Sequence, residues 1–139
     1  MNRSNQILKD ILKSNRLSVT NQRLLIFNIL SQNQPLSMNE LIKKTNSEID
    51  RVSVYRIIET FISVGIAQKV SLGWKYKIEL SDTFQDHHHH LICLACNKTI
   101  AIHNQGLESY LNKIANENNF ETKNHQIEIQ GYCSDCQKS

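Results

Sequence analysis

The sequence predicts an α+β chain in two parts, and three observations carry that expectation. Apolar residues recur at helical spacing four times before Gly65; two β-prone runs follow directly; and the remainder sets two Cys-x-x-Cys pairs around short strand-like runs and one helical stretch. With 139 residues, 40% of them hydrophobic, the chain buries a real but modest core, in one domain or two small ones. Its formal net charge of +3 is compatible with a nucleic-acid partner without requiring one. The polar N-terminus does not resemble a signal peptide and no apolar run approaches membrane-spanning length, so the expectation is a cytoplasmic protein with no membrane partner.

Ile7, Leu8, Ile11 and Leu12 fall on one face of a first helix, with Ser4 placed to cap it. Thr20 is placed to cap a second, whose Leu24, Leu25, Ile26, Phe27, Ile29 and Leu30 are too densely apolar for a fully exposed helix. After the break at Pro35, Ser37 and Glu40 have the spacing of a capping box and open a third helix carrying Met38, Leu41 and Ile42. A fourth spans 49–64, with Val54, Ile57, Ile58, Phe61 and Ile62 in one stripe and Gly65 as its stop. Residues 66–71 and 74–80 are β-prone and separated by Leu72-Gly73, the pattern of a hairpin. Short helices followed by a hairpin is the order of a winged helix-turn-helix, in which the helix before the hairpin enters the major groove. Arg51, Ser53, Tyr55 and Arg56, largely off the apolar stripe, are then candidate contacts to double-stranded DNA. On a lone helix such a polar face is more often solvated surface, and only its place before the hairpin singles it out.

The polar joint at 81–85 is the predicted hinge, leaving 1–80 and 86–139 as the two domains. In the second, Leu91-Ile92 and 99–102 flank the turn between Cys93 and Cys96 as strands, Leu107, Tyr110, Leu111 and Ile114 mark a helix, and 126–132 alternates as a strand. In a reducing compartment Cys93, Cys96, Cys133 and Cys136 have the spacing of a closed tetrahedral zinc site, which would tie the first hairpin of this lobe to its last strand; a disulfide pairing is the lesser reading.

The histidine run supplies a second chemistry. In an extended segment His87 and His89 share one face and His88 and His90 the other, so one run can feed two sites. Glu108 and His125 are candidates to complete the first, and Glu79 the second. Imidazole with carboxylate suits zinc, and also iron, nickel or manganese. The bland reading is a solvated loop or a tag, but a tag would not sit mid-chain before two spaced thiols. His103, a lone histidine beyond a strand, is read as surface. A zinc hydrolase or nucleobase deaminase is a competing class, yet no glutamate stands two residues after a histidine and no proline precedes either Cys pair, as the deaminase signature requires. A metal-storage module without DNA binding is a third.

Thr20-x-x-Arg23, Val54-Tyr55-Arg56, Ile78-Glu79-Leu80, the run His87 to His90 leading into Leu91-Ile92-Cys93-x-x-Cys96, Glu108, His125 and Cys133-x-x-Cys136 together resemble the ferric uptake regulator family of bacterial metal-dependent repressors, over nearly the whole chain. The resemblance implies a winged-helix DNA-binding domain, a dimerisation domain, and a homodimer that binds an A/T-rich inverted repeat when loaded with metal. It implies structural zinc on Cys93, Cys96, Cys133 and Cys136, a dimerisation-domain metal site on His87, His89, Glu108 and His125, a sensing site at the hinge on Glu79, His88 and His90, and DNA contacts from Tyr55 and Arg56. Departures from the family pattern bear on the metal. Pro35 stands where the hinge site normally gains a histidine, and proline cannot ligate. His89 replaces the aspartate usual in iron-responsive members, so the all-histidine run looks more like the zinc uptake regulators; imidazole in place of a hard oxygen moves a site toward the borderline metals. Ala101 stands where peroxide-sensing members carry an aspartate ligand. The expectation is therefore a repressor of metal-homeostasis genes, with zinc favoured over iron(II) or manganese(II) as effector and an iron-sensing regulator as the alternative.

Overall fold

A computed structural model describes residues 3–72 and 74–137, and the chain divides into two compact units, Met1–Gln85 and Asp86–Ser139. The chain is α+β.

The first unit holds α1 (Arg3–Ser14), α2 (Asn21–Ser31), α3 (Met38–Lys44) and α4 (Arg51–Ser63), then β1 (Ala67–Leu72) and β2 (Lys75–Leu80). Each helix start has a local cause. The Thr20 hydroxyl accepts from the Arg23 N–H, and Ser37 and Glu40 form the reciprocal capping box, each side chain accepting the other's backbone N–H. Ser4, expected as a cap, lies inside α1 instead, because the helix already begins at Arg3. The fourth helix starts at Arg51 rather than at Ile49: Asp50 is its cap, accepting from the Ser53 N–H and hydroxyl at 3.2 and 2.6 Å. Ile49 before that cap and Val54 after it are both in the core, the pattern of a hydrophobic staple. At the far end Gly65 takes φ +83° and the Ile66 N–H reaches back to the Phe61 carbonyl at 2.8 Å, closing the helix in the left-handed turn that glycine adopts without strain.

Strands β1 and β2 pair antiparallel from Ala67 opposite Leu80 to Leu72 opposite Lys75. Gly73, expected in their turn, lies outside the described residues. Leu36 adds an isolated bridge to Ile78, with both backbone hydrogen bonds made, at 3.0 and 2.7 Å, so the segment holding the buried Pro35 is strapped to the hairpin. All four helices and the hairpin bury their apolar faces in one cluster running from Leu8 to Leu80, with Phe27 and Phe61 as its largest side chains.

The second unit is a three-stranded sheet in the order β4-β3-β5 with one helix. Central β3 (His89–Cys93) pairs antiparallel with β4 (Thr99–Ile102) and parallel with β5 (Glu128–Gly131), which is shorter than the alternation over 126–132 suggests. Helix α5 (Gln105–Glu117) is capped by Asn104, whose side chain accepts from the Leu107 N–H. No helix among the described residues is long and apolar enough to cross a membrane.

Candidate metal centres

The four thiols come from the two ends of the second unit and converge. Backbone hydrogen bonds set the convergence: the Leu94 N–H donates to the Gly131 carbonyl at 2.8 Å, tying the first knuckle to β5, and the Asn97 N–H returns to the Cys93 carbonyl with Asn97 itself left-handed at φ +65°. One donor atom from each of Cys93, Cys96, Cys133 and Cys136 lies within 4.8 Å of the others, with the Cys96 and Cys133 sulfurs 3.9 Å apart. Tetrahedral zinc with Zn–S bonds of about 2.3 Å sets sulfurs about 3.8 Å apart, so the donor set fits that ion. The electrostatics agree. N–H groups of Cys133 and Cys96 donate to the Cys93 sulfur at 3.4 and 3.5 Å and hold its pKa down to about 6, a thiolate seat built from backbone. Cys136, beside the Cys133 and Cys93 sulfurs, is pushed up to about 12. Four sulfurs this close cannot all ionise unless a cation joins them.

The second cluster surrounds Glu108 in the first turn of α5. Its carboxylate takes hydrogen bonds from His89 Nε2 at 2.8 Å and His125 Nε2 at 2.9 Å, with His87 Nε2 at 3.1 Å. Burial pushes the Glu108 carboxyl up, but the bonds from His89 and His125 outweigh it, and the group ends below its ordinary value. Metal–nitrogen bonds of about 2.0–2.1 Å put an imidazole centroid about 3.2 Å from an ion, so rings sharing one at angles of about 90–110° have centroids about 4.5–5.3 Å apart. The His87–His89, His87–His125 and His89–His125 separations are 4.8, 4.6 and 5.1 Å, so this donor set also fits. Loading His89 also costs a backbone hydrogen bond. Its Nδ1 accepts the Ile127 N–H at 3.1 Å, which leaves the ring proton on Nε2, and ligation through Nε2 displaces that hydrogen bond.

On the other face His88 and His90 have ring centroids 4.7 Å apart, inside the same range. Glu79 belongs to the first unit, where its carboxylate accepts from Gln68 Nε2, its cross-strand partner, at 2.7 Å. His103, read from sequence as a surface residue, is exposed, and its ring stacks on His88 with centroids 5.5 Å apart.

Comparison with known proteins decides the family. A model of the ferric uptake regulator family matches residues 14–130. The chain belongs to that family. The ferric uptake regulation protein of Vibrio anguillarum is 36% identical over 141 residues, covering 97% of this chain and 91% of the relative. The crystal structure of the Vibrio cholerae ferric uptake regulator, described as revealing rearrangement of its DNA-binding domains, superposes with a TM-score of 0.75 at 33% identity, over 90% of this chain and 98% of that one. The Helicobacter pylori ferric uptake regulator, described as having three functional metal binding sites, shares the fold at a TM-score of 0.83 and 23% identity, over 98% of this chain and 93% of that one. Ferric uptake regulator family members are metal-responsive transcriptional regulators, and the chain is not an enzyme.

The candidate DNA-contacting residues of this family member lie on α4. Arg51 and Arg56 are exposed, and the Arg51 guanidinium lies over the Tyr55 ring at 5.6 Å. Arg51 also reaches Asn39 on α3 at 3.4 Å. Ser53 is differently employed: its hydroxyl donates to the Asp50 carboxylate as part of the helix cap. That bond was readable from Asp50 and Ser53 three apart at the head of an apolar run, the usual signature of a capped helix.

Proposed function

We propose that this protein is a DNA-binding repressor of metal-homeostasis genes, acting as a homodimer, whose hold on an A/T-rich inverted repeat is set by a divalent metal, zinc in the first instance. The observation that carries the reading is the pair of clusters in one small sheet unit: four sulfurs at zinc-site spacing, and three imidazoles with one carboxylate at ligand spacing. Structural zinc belongs on the first. His87, His89, Glu108 and His125 form a second site, where three nitrogen donors favour zinc over iron(II) or manganese(II). The sensing site of this reading is the hinge set taken from the family resemblance, Glu79, His88 and His90. A cation bound there supplies coordinate bonds, and its leverage on DNA binding is its difference in affinity between DNA-competent and other arrangements.

Charge supports DNA as the partner. Residues 1–85 carry 12 Lys and Arg against 7 Asp and Glu, a formal +5, whereas 86–139 carry 4 against 6, a formal −2. The modest net charge of the whole chain hides this division, and phosphate contacts are the sequence-independent part of DNA affinity. Arg51, Ser53, Tyr55 and Arg56 are the proposed contacts, with Ser53 the weakest for the reason above. The homodimer is supported by Tyr110, Ile114, Ile129 and Tyr132, all exposed on the second unit.

Iron(II) sensing is the second reading, favoured by one finding: the 36% identical relative is named for ferric uptake regulation. Gel-shift titration against an A/T-rich inverted repeat, with zinc, iron(II) and manganese(II) at buffered free concentrations, separates the two. Affinity rises from manganese(II) through iron(II) to zinc at most sites of this kind, so each metal is compared at the free concentration a cell holds. Zinc driving binding there supports the first, iron(II) without zinc the second, and binding indifferent to all three overturns both.

A further inference from the structure

We propose that His103 is a metal ligand, joining His88 and His90 as the third imidazole of a site on one face of the second unit's sheet. The proposal rests on the reading of His88 and His90 as metal-binding, and adds to it a residue that the sequence alone places on the surface.

The strand register supplies the geometry. His89 lies opposite Ile102 and His90 opposite Ala101, so continuing the pairing outward sets His88 opposite His103. Alternation along extended strands puts residues 88, 90, 101 and 103 on a single face. The rings bear this out: His88 and His103 stack with centroids 5.5 Å apart and planes 28° from parallel, while His88 and His90 are 4.7 Å apart. The first separation is slightly beyond the span of about 4.5–5.3 Å for imidazoles sharing one ion, and His103, being exposed, can turn without disturbing the core. Ala101, opposite His90 on the same strand face as His103, contributes only a methyl group from its own strand.

The protonation pattern also fits. His88 Nδ1 donates to the Asp86 carbonyl at 2.9 Å, and a histidine that ligates through one ring nitrogen ordinarily donates from the other to such a backbone oxygen. Here His88 differs from His89, whose Nδ1 is spent as an acceptor. Three imidazoles form a donor set for borderline divalent cations: zinc, cobalt(II) and nickel(II) ahead of manganese(II). A plain cross-strand ring pair, the competing account of the stack, needs no ion.

The test is a cobalt(II) titration of the full-length protein with its zinc sulfur site loaded, read by visible d–d absorption and by competition with a chelator. It compares the parent protein, H103A, H103Q and the double variant H88A/H90A, each in an E108A/H125A background that removes the other imidazole site, and again with Glu108 and His125 intact. The expected result is that H88A/H90A loses this cobalt equivalent, while H103A and H103Q keep it at least tenfold more weakly and with an altered d–d band. An unchanged affinity and spectrum in both His103 variants, alongside loss in H88A/H90A, overturns the His103 assignment and leaves the His88 and His90 site standing. Retention of the equivalent in H88A/H90A overturns both.

Discussion

Every residue of the main hydrophobic core lies between Leu8 and Leu80, in the first unit, whereas among the described residues of the second only Ile92 and Cys93 are buried apolar side chains and α5 buries none. Of the large hydrophobic residues left exposed, Val52 and Trp74 belong to the first unit, while Leu94, Ile100, Tyr110, Ile114, Phe120, Ile129 and Tyr132 belong to the second. The first unit is held by buried hydrocarbon, four helices deep. The second has too little of it for a lobe of its size, and its polar clusters and exposed apolar surface are what it has instead. Metal binding and subunit pairing are therefore, in the proposed reading, part of how the second unit folds as well as what it does.

Stripping zinc should sharpen that contrast most. Structural zinc contributes about 10–16 kcal/mol in small zinc domains, more than this unit's buried side chains can supply. Chelation, or Cys93→Ser, should remove hydrogen-exchange protection from β3 and β5 while the amides of α2 and α4 stay protected; equal loss in both units would break the comparison. Phe61→Ala should do the converse. It empties a fully buried site in the first unit, at a cost of about 3–5 kcal/mol, and should lower that unit's melting while zinc stoichiometry is unchanged. Loss of zinc in this variant would show that the units do not stand apart. A smaller effect is expected at the cap of α3: Ser37→Ala should cost about 1 kcal/mol, or about 4–8 °C in the melting of the first unit by circular dichroism.

The smallest effect is a pH dependence at the same cap. The Ser37 backbone N–H, bonded to Glu40, holds that carboxyl below its ordinary value of 4.5. A depressed folded-state pKa gives stability that is present above the unfolded value and lost as pH falls through the folded one. Urea melts of the first unit should therefore lose stability as pH drops below about 4.5. Glu40→Gln should flatten that part of the profile, and a profile unchanged by the substitution would remove the cap from the account.

Much of this was readable from local pattern. The Ser37 and Glu40 box, the Thr20 cap and the Gly65 stop act within a few residues of themselves, so spacing alone reveals them. The two faces of the histidine run follow from strand alternation, and the rings of His87 and His89, and of His88 and His90, are paired as that parity requires. What spacing could not show is what distant backbone supplies. The Cys133 N–H that helps lower the Cys93 thiol, and the Ile127 N–H spent on His89, come from 40 and 38 residues away and depend on β3 and β5 meeting in one register. The His88 and His103 stack was hidden for the same reason, since it needs the pairing of β3 with β4. Ser4 failed as a cap because the helix begins earlier than its apolar face does.

The alternation of β3 and its lead-in has a consequence for how such a protein can change over generations. Four neighbouring positions serve two separate clusters by odd and even place, so exchanging one donor, as at position 89, retunes a single cluster and leaves its neighbour alone. Inserting one residue between His90 and Leu91 would hand every ring to the opposite side at once. Selectivity can drift here by substitution, while the length of the run is locked.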